Sequence, residues 1–192
     1  MPVARLLVPA ALALLAAPPP AVPGGGAPRP FDVDKAHSAI TFKAHSRFVG
    51  AEGRFTRWDA DVALDPDAFE RSTVRITIDA ASIDTDNGRR DNHLRGDDFF
   101  DVARYPTITF VSRAVTTSGP GAGTIAGDLT MHGVTRPVEV PVTTVTYADG
   151  RGRFRGAFAV ARRDYGLSYN SRLNPIADTV RVQFEMGVAE RR

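Results

Sequence analysis

The chain has 192 residues, no cysteine, and 24 basic against 22 acidic side chains. A single domain with an apolar core is the expectation at this length, and the missing cysteines exclude a disulfide framework, a thiolate metal site and a cysteine nucleophile. The net charge of +2 is carried by arginines scattered among aspartates, with Lys35 and Lys43 the only lysines, so no basic stripe of the kind that nucleic-acid binding needs is formed.

Residues 1–28, "MPVARLLVPAALALLAAPPPAVPGGGAP", hold one base, Arg5, and no acid. The apolar run Leu6 to Ala17 is shorter than the roughly 20 residues of a membrane span. It has the size of a signal-peptide core, with Arg5 as the charged leader and a cleavage point expected near residues 17–27. The expectation is export, periplasmic or secreted, with the rest of 1–28 a Pro/Gly/Ala-rich linker. A disordered apolar tail and an uncleaved membrane anchor are the alternatives.

From Phe31 onward, apolar and polar residues alternate with period two, which turns one face of each segment toward an apolar interior. Residues 39–48 carry Ile40, Phe42, Ala44, Ser46 and Phe48 on one side; 54–65 carry Trp58, Ala60, Val62 and Leu64; 73–80 carry Val74, Ile76 and Ile78. Further strands are expected at 107–115 with Ile108 and Phe110, at 124–132 with Ile125, Leu129 and Met131, and at 134–147, which is rich in valine. The last two are 153–162, with Phe154, Gly156, Phe158 and Val160, and 179–188, with Val180, Val182, Phe184, Met186 and Val188. Turn chemistry separates them at Asp65-Pro66-Asp67, Gly119-Pro120-Gly121, His132-Gly133 and Asp149-Gly150.

Short turns between consecutive strands imply antiparallel neighbours. Eight such strands remove their adhesive edges by closing into an up-and-down barrel, with a sandwich as the alternative. Pro137 and Pro141 place the valine-rich strand at an edge or seam, because proline donates no ladder hydrogen bond. The one non-strand insertion is 86–104, where Gly88 and Gly96 bracket a short helix, "RRDNHLR", and "DDFFD" starts another.

That insertion sets His93 among Asp91, Asp97, Asp98 and Asp101. Neighbouring aspartates at a helix start have a structural use, since they complement the N-terminal dipole and cap free N–H groups. No G-x-S-x-G, H-E-x-x-H or phosphate-binding glycine loop occurs. The histidines, His37, His45, His93 and His132, have no chelating spacing, so no metal site is expected.

The blocks "DKAHSAITFKAH" at 34–45, "ASIDTDNGRRDNHLRGDDFFDVARYPTITFVS" at 81–112, "GDLTMHGVTRPV" at 127–138 and "RRDYGL" at 162–167, in this order, resemble the YceI-like family. The resemblance covers about residues 31–190; the loop 168–178, "SYNSRLNPIAD", departs from the family's pattern and bears on the mouth of the barrel. It implies an exported bacterial lipocalin-like barrel that binds a polyisoprenoid or related lipid, and it makes the insertion a lid built on Asn92, His93, Leu94, Phe99 and Phe100, with no catalytic set to transfer.

Physics agrees with that implication, because an eight-stranded barrel is at the size where the interior either fills with side chains or opens for one ligand. The inward faces mix bulky residues (Phe42, Phe48, Ile76, Ile108, Phe110, Leu129, Phe154, Phe158, Phe184) with small ones (Ala44, Ser46, Ser112, Ala114, Gly127, Gly156). Small residues open a tunnel or interdigitate in a solid core. Under the first reading they line a lipid site, with Tyr165 and Tyr169 near the head group at the mouth. The expected function is a non-enzymatic carrier or store of an isoprenoid-type or quinone-like lipid. It needs no cofactor, makes transient membrane contact, and is a monomer or homodimer. The competing readings are a cavity-based isomerase or hydrolase using His93, Asp97 and Asp101, and a solid-cored interaction domain.

Overall fold

A computed structural model describes residues 26–46, 50–169 and 175–191. The expected leader falls almost wholly outside these residues, as does Phe48. Among the described residues, ten strands occur in the order β1 Arg29–Ser46, β2 Gly50–Phe55, β3 Trp58–Leu64, β4 Thr73–Asp79, β5 Ile83–Asp84, β6 Thr107–Gly119, β7 Ala122–Met131, β8 Val134–Ala148, β9 Arg151–Ala161 and β10 Ile176–Glu190. A single α-helix, α1 Gly88–Arg95, lies between β5 and β6.

These strands form an eight-staved, closed antiparallel barrel. β2 and β3, expected as one strand, are two halves of one stave: β2 pairs with the late part of β1 (Gly50 opposite His45) and β3 with its start (Leu64 opposite Arg29). The break at Thr56 and Arg57 is held by Thr56 N–H on Ser82 O at 3.1 Å and Asp79 N–H on Arg57 O at 3.0 Å. Each later stave pairs with its chain neighbour, and β10 returns to β1 to close the ring. Two-residue hairpins at His132-Gly133 and Asp149-Gly150 have positive φ at both positions (52° and 74°, 51° and 71°), the geometry that matches strand twist and that Asp-Gly and similar pairs favour.

Alternation predicts the strands well but misjudges three details. The first strand begins ten residues earlier than periodicity suggests, because Arg29–Ser38 carries the irregular register between Asp34 and Ala39 and so breaks the pattern. The prolines do not mark the seam, which lies between β1 and β10; β8 is an internal stave. Among the described residues, however, β8 pairs with β9 only from Val142 to Ala148, so Pro137 and Pro141 sit where only the β7 ladder runs. Finally, "DDFFD" forms turns rather than a second helix.

Two apolar collars line the barrel. One, at the end covered by α1, includes Ile40, Ile78, Ile108, Met131, Val160 and Leu167; the other, where the described chain's two ends meet, is built on Phe31, Val62, Leu64, Met186 and Val188. The second end is plugged by a 3-10 turn at Phe69–Arg71, whose Phe69 ring lies edge-on to Tyr147 (6.1 Å) and Phe154 (6.4 Å). Asp65 anchors this plug: its Oδ1 accepts from Asp67 N and Ala68 N at 3.1 Å each, and Arg71 pairs with its other oxygen.

Candidate functional site: an apolar cavity along the barrel axis

The space between the collars is open, with a volume of about 540 Å³ and a wall drawn from every stave. That volume lies in the range of about 300–1,000 Å³ typical of small-molecule sites. The interior is thus not a solid core. Period two explains the wall: Phe42 and Ala44 on β1, Ile76 on β4, Ile108 and Phe110 on β6, Leu129 on β7, Phe154 and Phe158 on β9 and Phe184 on β10 all face it.

Glycine keeps this bore open by a different route from a simple gap in the wall. Gly156 was expected to leave lumen space; instead a Cβ there would lie 2.5 Å from Phe184 Cζ and 2.8 Å from Pro141 O. The ring of Phe184 therefore occupies the space beside the glycine directly opposite it. Phe42 does the same beside its partner Gly53, and Phe110 beside Gly127 on the neighbouring strand. In this cross-strand packing an aromatic ring takes the space that a Cβ would fill, and all three rings border the cavity.

β6 contains a second departure from strict alternation. A bulge between Ser112 and Ala114 shifts the inward parity by one, so Val115 and Thr117 reach the cavity while Ala114 is exposed. Ser112 closes the distortion, its Oγ accepting from Val74 N at 2.8 Å. A bulge is a two-against-one mismatch between strands and leaves no signature in one strand's own residues.

The lid is secured through backbone carbonyls and two buried carboxylates. Asn87 caps α1 by accepting from Arg90 N at 3.0 Å, and buried Asp91 accepts from Thr85 N (3.0 Å) and Thr85 Oγ1 (2.5 Å). Arg95 donates to Ala81 O (2.8 Å) and Ile83 O (2.7 Å). Asp101, buried at a left-handed φ of 43°, receives Arg104 Nη1 at 3.4 Å. Asp91 and Asp101 thus serve the lid's own architecture. Asp97 is exposed, and Asp98 meets the half-exposed His93 at 3.4 Å. Among the described residues, no three of the metal-ligating side-chain types gather.

His93, Leu94, Phe99, Phe100 and Tyr169 border the cavity at this end. The His93 ring stands edge-on to Phe99 (5.1 Å) and Tyr169 (4.8 Å), and these two rings are 4.9 Å apart, forming an aromatic collar at the mouth. Asn92 faces solvent, accepting from Arg95 Nη1 at 3.2 Å. Tyr165 is not at the mouth: it is 2 % exposed and packs in the core, where burial raises its phenol above the ordinary range and nearby Asp164 adds to the shift.

Among the wall residues that escaped the reading of strand faces are Phe69, Arg90 and Arg162. Arg162 was legible in principle, since it extends the inward series Phe154, Phe158, Val160 by one step. Arg90 sits on a helix with no apolar stripe to orient it, and Phe69 lies in a turn.

A family model for the YceI-like domain matches residues 31–188. The chain belongs to the YceI-like family. Among relatives of this YceI-like barrel, a UPF0312 protein of Vibrio cholerae is 32% identical over 142 residues, spanning 71% of this chain and 75% of the relative. The crystal structure of BcnA from Burkholderia cenocepacia is 30% identical with a TM-score of 0.76, covering 81% of this chain and 99% of that one. A polyisoprenoid binding domain from Saccharophagus degradans shares the fold at 17% identity and a TM-score of 0.66, over 85% of this chain and 99% of its own.

Proposed function

We propose that this YceI-like protein is an exported, non-catalytic carrier or store of a single-chain apolar lipid of the isoprenoid or quinone type, acting in the periplasm or outside the cell. The observation that carries the reading is the axial cavity of about 540 Å³, whose wall is mostly aliphatic and aromatic. Burial of a CH₂ contributes about 0.8 kcal/mol, so a five-carbon isoprene unit contributes up to ~4 kcal/mol before ordering costs. A few units therefore suffice for tight binding without a polar partner along the chain. The polyisoprenoid binding domain of Saccharophagus degradans lends support through its shared fold. The leader-like composition of residues 1–28 supports export, and loading then occurs through transient contact with a membrane. Asp101 is buried and met by Arg104, and Asp97 is exposed, an arrangement that supports a binding role over a hydrolase or isomerase built on His93, Asp97 and Asp101.

The test is native mass spectrometry of the full chain, expressed with its leader and purified without detergent, followed by solvent extraction. A stoichiometric lipid adduct, on a chain whose N-terminus begins between residues 17 and 30, is the expected result. A protein that carries no extractable lipid and takes up none from vesicles overturns the reading.

A further inference from the structure

The cavity wall is asymmetric in charge. Among the described residues that line it, no aspartate or glutamate occurs, whereas two arginines, Arg90 and Arg162, do, and both stand at the lid end with His93. Arg162 is only 4 % exposed. Its guanidinium is tied to backbone carbonyls alone: Nε to Ala177 O (3.1 Å), Nη2 to Ile176 O (3.2 Å) and Nη1 to Leu167 O. Arg90 likewise spends Nε and Nη2 on Thr85 Oγ1 and Thr85 O, at 2.8 Å each. Among the described residues neither has a carboxylate within ion-pair distance. Asp178 acts on Arg162 only through space, because its Oδ1 takes the Arg163 N–H at 3.0 Å.

A buried cation without a counter-charge is costly unless something anionic completes it. Three donors of each five-donor guanidinium fork at most are committed to carbonyls or hydroxyls, and the fork suits a planar or tetrahedral oxyanion. At the opposite end the described lining residues include the hydroxyls of Ser72, Thr116, Thr117, Thr124 and Thr144 and neighbouring glycines, with no charged side chain among them.

Building on the lipid-carrier reading, we propose that the lid end is a head-group site selective for single-chain lipids with an anionic oxygen head, carboxylate or phosphate, with Arg162 and Arg90 setting the preference. The tail then runs down the barrel toward Phe69. The orientation follows from the charge: reversing the ligand would carry its anion away from both guanidiniums to an end lined by Phe69, Phe154 and uncharged hydroxyls.

A head-group series on one fifteen-carbon chain tests this with the unaltered, delipidated full chain: farnesol, farnesylamine, farnesoic acid and farnesyl phosphate, by calorimetry. At least one of the two acids is expected to bind ten-fold or more tighter than farnesol (about 1.4 kcal/mol), with the amine weakest. Tighter binding of the carboxylate alone identifies a fatty-acid-like ligand, and of the phosphate alone a prenyl-phosphate-like one. Buried charges are poorly screened, so the preference is expected to survive about 0.5 M salt; its loss there assigns it to the exposed rim and overturns the role of Arg162. Arg162→Met and Arg90→Met keep the aliphatic stems and are expected to shrink the preference to about three-fold or less. Because Arg162 also ties three carbonyls, the series on the unaltered protein and Arg90→Met decide the matter if Arg162→Met does not fold. Equal binding of farnesol and both acids overturns the proposal while leaving the lipid-carrier reading intact. Failure of all four to bind overturns both.

Discussion

Gly156→Ala is the smallest change that tests how the bore is kept open. Its Cβ would sit 2.5 Å from Phe184 Cζ and closer still to Cε1, whereas ordinary carbon contacts lie at about 3.5–4.0 Å. The ring must then retreat by roughly 1–1.5 Å, and the carbonyl of Pro141, 2.8 Å away, blocks relief on the other side. The free direction for Phe184 is inward, into the cavity it borders. Overpacking of this kind costs about 1–3 kcal/mol, which for a domain of this size lowers the Tm by roughly 2–4 °C per kcal/mol. Thermal unfolding of the delipidated variant should show that loss, and uptake of a fluorescent prenyl lipid should fall in parallel. The double change Gly156→Ala with Phe184→Leu removes the clashing ring edge and should recover uptake. Unchanged stability together with unchanged uptake in the single variant would refute the idea that Phe184 takes the space that Gly156 leaves.

Three further outcomes follow from the geometry. Tyr165 and Tyr147 are both pushed upward by burial, so the unfolded chain ionises first as pH rises past about 10; stability present below that pH is lost above it, and Tyr165→Phe should blunt the loss in alkaline denaturant titrations. Asp65→Ala, which strips the acceptor from Asp67 N and Ala68 N and leaves Arg71 unmatched, should cost about 2–4 kcal/mol in urea unfolding, and Asp65→Asn should cost less by keeping the turn. Tyr169→Ala opens the aromatic collar beside His93 and Phe99, so lipid release measured by stopped-flow transfer to vesicles should quicken while the unfolding midpoint stays within about 2 °C.

Most of the fold is legible in the chain because period two is strong wherever a strand has one dry face. β10, from Ile176 to Glu190, alternates so cleanly that Val180, Val182, Phe184, Met186 and Val188 all prove to face the cavity. Legibility fails where structure depends on two strands at once. The bulge at Ser112 to Ala114 flips the parity of β6 through its mismatch with β7. The filled state of Gly156 is a property of Phe184, twenty-eight positions away in sequence and directly opposite in the ladder. The cavity's charge is hidden in the same way: Arg162 is a common residue in a run of two arginines, and only its burial against Leu167, Ile176 and Ala177 gives it meaning.

Closure through β1 and β10 has a kinetic side. Arg29 and Glu190, joined at 2.7 Å across the seam, are 161 positions apart in the chain. Every other stave meets a partner that precedes it closely, so the meander from β3 to β9 can zip by local steps, whereas the ring cannot close until Ile176–Glu190 has emerged. Until then β1 and β9 each present an unsatisfied ladder edge beside an apolar, unfilled lumen, the combination that invites pairing between chains. Such non-local pairing is slow because loop-closure entropy precedes its reward. The final fifteen-residue strand is therefore the protein's window of vulnerability to aggregation.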